Sequence, residues 1–145
     1  MYDIDKIVQL LGGARVLGTA VRTPLELRAL LRRGLPTAAL ASLAAHLTPH
    51  ATRVAAFVFK SREPTSSPSL ANGLLSTEES DCVYRIANAL AHAIDTLGGI
   101  AAARTWLTTP HAVFDGEAPL DLLNTDTGCE IVETALAWID HGIAV

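Results

Sequence analysis

Aromatic side chains are scarce in this chain: they make up 5% of its 145 residues, with a single methionine beside them. Half of the residues are apolar, but much of that half is alanine. Small side chains at this density suit close helix packing and give little bulk to line a deep pocket. Cysteine is limited to Cys82 and Cys129. They stand far apart, in neither a redox nor a zinc spacing, and are expected as free thiols in a cytoplasmic chain. The longest uninterrupted apolar runs are a few residues, far from the ~20 needed to span a bilayer, so no membrane partner is expected. The N-terminal segment carries Asp3 and Asp5 where a secretory signal has basic residues. Nucleotide loops of the G-x-G-x-x-G or G-x-x-x-x-G-K-[ST] type, C-x-x-C pairs and H-E-x-x-H are all absent.

Charge is unevenly distributed. Residues 1–62 hold nine Lys/Arg against three Asp/Glu, and residues 63–145 hold two against twelve, local balances of +6 and −10 within a net −4. A basic first half suits an anionic partner, with DNA the commonest. An acidic second half is a poor nucleic-acid surface and a plausible protein-binding one. Ordinary solvated helix faces would also produce this pattern.

Helical punctuation recurs along the chain. Ile4, Ile7, Val8 and Leu11 form a stripe that Gly12-Gly13 stops. Thr23-Pro24-Leu25-Glu26 is a capped start with proline at the first helical position; Leu27, Leu30 and Leu31 follow on one face, and Gly34 ends the helix. Pro36 opens the next, striped by Leu40, Leu43, Ala44 and Leu47. Thr48-Pro49 is expected to open a third, reaching about Phe59, with Val54, Phe57 and Val58 buried. Residues 60–73 hold two prolines and four serines, a linker that divides the chain into residues 1–75 and 76–145. Ser76 and Glu79 frame a capping box. Val83, Ile86, Ala87, Leu90, Ile94 and Leu97 then hold helical spacing over four turns. A short helix over Ile100–Leu107 precedes Pro110, and a last one, capped by Thr125, is striped by Ile131, Val132, Ala135, Leu136 and Ile139 before Gly142. No segment sustains a period of two, so the fold class is all-α. Three short helices over 23–33, 36–47 and 49–59 have the layout of a helix-turn-helix domain.

No catalytic constellation assembles, no cofactor is expected, and an enzyme is not indicated. His46 and His50 have ligand spacing, but Pro49 sets a helix boundary between them, so no metal site is expected. His92 and Asp95, three apart, would pair on an exposed helix face. Cys129 lies near a helix N-terminus, which could lower its pKa, yet it has no basic partner.

The second half carries a more specific pattern: Ser76-x-x-Glu79-Ser80, Arg85, Ala93, Ala103-x-x-Trp106-Leu107, Pro110, Gly116, Pro119-Leu120-Asp121-Leu122-Leu123, Thr125-x-x-Gly128 and His141-Gly142-Ile143. In order and spacing it resembles the toxin-binding domain of the Xre/MbcA/ParS antitoxin family, and the first half more loosely resembles the family's Xre-type helix-turn-helix part. Trp106, Leu107, Pro119, Leu122, Leu123 and Gly128 also have purely structural readings, as anchor, turn and close-packing residues. An apolar tail beyond a helix stop is harder to explain without something that buries it.

The resemblance implies a RES-domain toxin that degrades NAD as partner, held in a homodimer or a toxin–antitoxin hetero-oligomer. It further implies that the C-terminal segment, His141, Gly142, Ile143, Ala144 and Val145 with Trp138 before it, blocks the toxin's active-site entrance. Operator DNA is the second implied partner, contacted by the first half, which would make the protein a repressor of its own operon. Pro64 and Pro68 oppose a long recognition helix before the linker, and Glu63 would repel phosphate. Arg53, Lys60 and Arg62 are the candidates for phosphate contact. A helix-turn-helix regulator without a toxin partner is the alternative.

Overall fold

The computed structural model describes residues 3–59 and 73–143. The chain is all-α, with no strand among the described residues. Helices α1 (Ile4–Leu10), α2 (Gly13–Leu17), α3 (Pro24–Arg33), α4 (Thr37–His46) and α5 (Ala51–Phe59) precede the undescribed segment; α6 (Thr77–Leu97), α7 (Ile100–Thr108), the four-residue α8 (Pro119–Leu122) and α9 (Asp126–Asp140) follow it, with a 3₁₀ turn at Ala112–Phe114.

Everything is built around α6. The expected capping box is present: Glu79 N–H donates to the Ser76 hydroxyl (3.1 Å) and Ser76 N–H to the Glu79 carboxylate (2.8 Å). Beyond the first turn, Val83, Ile86 and Leu90 are fully buried, and so are Ala87, Ala89, Ala91 and Ala93. Alternate residues on a helix point in nearly opposite directions, so this alanine series encloses α6 on every side. Helices α1, α3, α4, α5, α7 and α9 all pack against it. One apolar cluster accordingly runs from Ile7 through Leu43 and Leu90 to Leu136, and α6 belongs to the packing of both halves of the chain.

Two polar contacts fix how the first half meets α6. The buried Ser80 hydroxyl accepts from the Leu35 N–H at 2.8 Å, and the Thr77 hydroxyl donates to the Arg32 carbonyl at the end of α3. Alongside, Leu75 N–H donates to the Leu35 carbonyl (2.7 Å) and Thr37 N–H to the Gly73 carbonyl (2.9 Å), so the last residues of the expected 60–75 linker are pinned to the α3–α4 junction. Ser80→Ala leaves the Leu35 N–H buried without an acceptor, a loss of about 1–3 kcal/mol. Urea unfolding of S80A should show a lowered midpoint, and an unchanged midpoint would mean that the bond contributes nothing.

Several sequence expectations need correction. A five-residue helix, α2, occupies Gly13–Leu17, where the glycine pair predicts only a stop. Thr48-Pro49 does not open α5. The Thr48 hydroxyl donates back to the Ala45 carbonyl at the end of α4, and α5 begins at Ala51, with Val54 N–H on the His50 carbonyl. Phe57 is half-buried, unlike Val54 and Val58. Ile131 does not join Val132, Ala135 and Leu136 in the core; it is 46% exposed. The apolar arc on α9 is wider than the surface it buries.

Candidate toxin-binding face

Each structural residue of the second half has a physical task. Leu107 and Leu123 are fully buried, Pro119 is buried, and Leu122 is partly so. Trp106 is half-buried and organises the following loop. Its ring lies 5.4 Å from His111 and 6.0 Å from Phe114, the latter edge-on at 80°. His111 Nε2–H donates to the Trp106 carbonyl at 2.9 Å. Sequence reasoning missed His111 and Phe114, although their clustering behind Trp106 in an aromatic-poor chain was the available signal. This cluster holds the 3₁₀ turn that presents Val113 to solvent. Gly128 sits under the α8 terminus, where a Cβ would fall 1.8 Å from the Leu122 carbonyl oxygen.

Among the described residues, five large apolar side chains are exposed: Leu25, Val113, Ile131, Trp138 and Ile143. Leu25 lies alone on α3. Ile131 and Trp138, seven apart and so on one line of α9, flank a shallow depression of about 380 Å³, lined also by Val113, Phe114 and Ala135 with Glu130 at its edge. The end of α9 ties Ile143 to this patch. Gly142 takes the left-handed conformation at φ 78°; its N–H reaches the Ile139 carbonyl (2.9 Å), and the Ile143 N–H reaches the Trp138 carbonyl (2.8 Å). This is a Schellman turn, and it places the first tail residue beside Trp138. Val113, Ile131 and Trp138 thus share one half-exposed apolar depression, with Ile143 one backbone bond from Trp138, a grouping of the kind that marks partner surfaces. Ala144 and Val145 lie outside the described residues.

Behind this face lies a buried polar group. His92 of α6 meets two carboxylates of α9: Nδ1 is 2.7 Å from Glu133 Oε2, and Nε2 is 2.9 Å from Asp140 Oδ2. Asn88 Nδ2 donates to the other Glu133 oxygen at 3.0 Å. Burial disfavours the imidazolium, but the hydrogen bonds to Asp140 and Glu133 outweigh it and raise the His92 pKa above 6.5. The expected exposed His92–Asp95 pair does not form; Asp95 is bound by Lys6 of α1 instead. Nor is Cys129 activated: burial pushes its thiol pKa up, aided by Glu133, and burial pushes Cys82 to about 11. Among the described residues no group of three His, Cys, Asp or Glu is disposed to hold a metal ion, and no helix is long and apolar enough to cross a membrane.

Of the candidates for phosphate contact, Lys60 and Arg62 lie outside the described residues. Arg53 is engaged internally, with Nη2 2.8 Å from the Asp121 carboxylate of α8 and Nη1 donating to the Thr108 carbonyl (3.3 Å).

Sequence comparison bears on this same region. Residues 92–142 match the antitoxin Xre/MbcA/ParS C-terminal toxin-binding domain. The matched stretch opens at His92 and closes at Gly142, so it contains the aromatic cluster, the Gly128 contact, Val113, Ile131 and Trp138 of the apolar face, and the Schellman glycine. A 68-residue stretch is 35% identical to a protein named Antitoxin Xre from Pseudomonas putida; it covers 47% of this chain and 43% of that relative. The similarity therefore spans less than half of the relative's length.

Proposed function

We propose that this chain is an antitoxin that neutralises a RES-type, NAD-degrading toxin by covering its active-site cleft. The observation that carries this reading is a coincidence. The stretch matching a toxin-binding domain also exposes Val113, Ile131 and Trp138 around one shallow depression, with Ile143 following directly after it. Such a face supports docking by burial of apolar surface around a large aromatic anchor. The segment from His141 to Val145 leaves the end of this face and would lie across the cleft that NAD must enter. In this reading the chemistry belongs to the partner. Autoregulation of the operon through the first half, as a dimer or within the toxin complex, completes the proposal. Because Arg53 is held by Asp121, that activity would depend on other basic residues or on a rearrangement.

Removing residues 143–145 tests the occlusion. The described part of the tail makes one backbone bond to the fold, through Ile143, so the truncated protein should keep its helical content and melting behaviour. Co-expressed with a cognate RES-type toxin, it should fail to preserve cellular NAD, while the full chain preserves it. Full protection by the truncated chain would overturn the plug; failure of the full chain to bind any such toxin would overturn the antitoxin reading itself.

A further inference from the structure

We infer that His92, Glu133 and Asp140 form a charged clamp between α6 and α9 whose task is to position the last turn of α9, and with it Trp138 and the tail. The geometry carries this. Glu133 and Asp140 are seven residues apart, two turns along one line of α9, and a single imidazole on α6 bridges them at 2.7 and 2.9 Å. A buried ring with both nitrogens engaged is fixed in orientation, and it fixes its partners in turn. Asp140 is the last helical residue of α9, directly before the His141–Gly142 turn. A carboxylate there is opposed by the helix dipole, and the last turn contains no basic residue to offset it. A hydrogen-bonded imidazolium supplies the missing positive charge from the neighbouring helix. Apolar packing through Val132 and Leu136 holds the middle of α9, whereas the final turn has no fully buried residue, Ala137 and Ile139 being only half-buried, and the Asp140 arm adds a polar tie there.

Glu133 and Asp140 both act on His92, each through a hydrogen bond and through its charge. Asp95, one turn further along α6, is paired with Lys6 of α1. The Asp140 carboxylate is held below its ordinary pKa first by the Thr96 hydroxyl of α6 and then by His92, with His141 adding the weakest pull. Arg28 and Arg32 of α3, His46 of α4, Arg53 of α5 and Arg104 of α7 are not among the groups that shift the ring. Because the pKa of His92 is raised in the folded protein, the clamp is fully formed below the ring's ordinary value of 6.5. It is lost as pH rises through the raised folded value.

Hydrogen exchange of the full chain reads the clamp without any toxin. In the wild type, the protection factors of the Gly142 and Ile143 amides should fall by about tenfold as pH rises through the His92 transition, while those of Ala89 and Leu90 hold; tenfold matches the loss of roughly one charge-assisted hydrogen bond. His92→Gln should show the reduced tail protection at every pH, with the pH step abolished. Asp140→Asn, at a largely exposed position, should reproduce the loss if H92Q does not fold. Equal tail protection in the wild type and D140N, or a uniform loss across α6 and α9, would overturn the positioning role and leave an ordinary stabilising contact. The importance of the tail's position for inhibition rests on the antitoxin reading. Toxin neutralisation that is weakened by D140N but intact in the wild type supports the link, whereas a wild-type chain that neutralises nothing sinks that reading and leaves the exchange result standing.

Discussion

Gly128→Ala should lower the melting temperature by roughly 10 °C, because its added methyl group would make the closest backbone clash of any glycine in the described residues. Its Cβ would lie 1.8 Å from the Leu122 carbonyl oxygen and 2.8 Å from the carbonyl carbon. These are backbone atoms at the end of α8 and cannot rotate away as a side chain would. Either α8 or the first turn of α9 must move by more than an ångström. Leu120 and Leu123, fully buried on either side of that carbonyl, resist the movement. Overpacking of this severity costs about 3 kcal/mol or more, a large part of the 5–15 kcal/mol typical of a domain. The same step also lengthens the Thr125 cap, whose hydroxyl accepts from the Gly128 N–H at 3.0 Å. Thermal unfolding followed by circular dichroism is the measurement, with Thr127→Ala, on the exposed side of the same turn, as the comparison. A G128A melt within two or three degrees of T127A would show that α8 is free to shift and that the close approach is not required.

Trp138→Ala should weaken toxin binding by about 30- to 1000-fold, the range for losing a central aromatic anchor worth ~2–4 kcal/mol. Its effect on the free protein's stability should stay within about 0.5 kcal/mol, because Trp138 is 47% exposed and its removal opens little in the core. That separation between binding and stability is what distinguishes a docking residue from a packing residue. Ile131→Asp, two turns earlier on the same line of α9, should act in the same direction by placing an unpaired charge in a desolvated interface. Leu25→Ala supplies the control, since Leu25 is the most exposed large apolar residue among those described, at 76%, and lies outside the face. Titration calorimetry of each variant against the cognate toxin measures all three. If W138A binds as tightly as the unaltered chain, the face on α9 is not the contact surface, and the recognition must reside in the tail or elsewhere.

The position and polarity of α6 explain why so much of the architecture could be read from the chain and some could not. Local signals were strong where they were chemically redundant. Ser76 with Glu79, Thr23 with Glu26 and Thr125 before Gly128 each combine a capping side chain with the spacing that uses it, and all three side-chain caps form, although Glu26 accepts from the Arg22 N–H instead of completing a box at Thr23. Thr48-Pro49 looked like a further case, but the hydroxyl found a nearer acceptor in the Ala45 carbonyl. A cap motif names a donor and an acceptor type without choosing between neighbouring carbonyls and amides.

The site divides along the same line. Leucine spacing and helix punctuation determine which residues can be buried in α9, and the order of Trp106, the Pro119–Leu123 turn, Gly128 and the terminal His141-Gly142-Ile143 marks the toxin-binding pattern that the match over residues 92–142 supports. Periodicity alone could not say that Ile131 is left outside, because the width of a buried arc depends on how closely the neighbouring helix approaches. Nor could it place His92, which has Asp95 within local reach but finds Glu133 and Asp140 more than forty residues away. Sequence by itself determined most of the helices, three of their caps and the antitoxin-like pattern, all of which are local in the chain. Only the tertiary structure decided which apolar residues face solvent and which charges meet, because both depend on the distance between helices that α6 brings together.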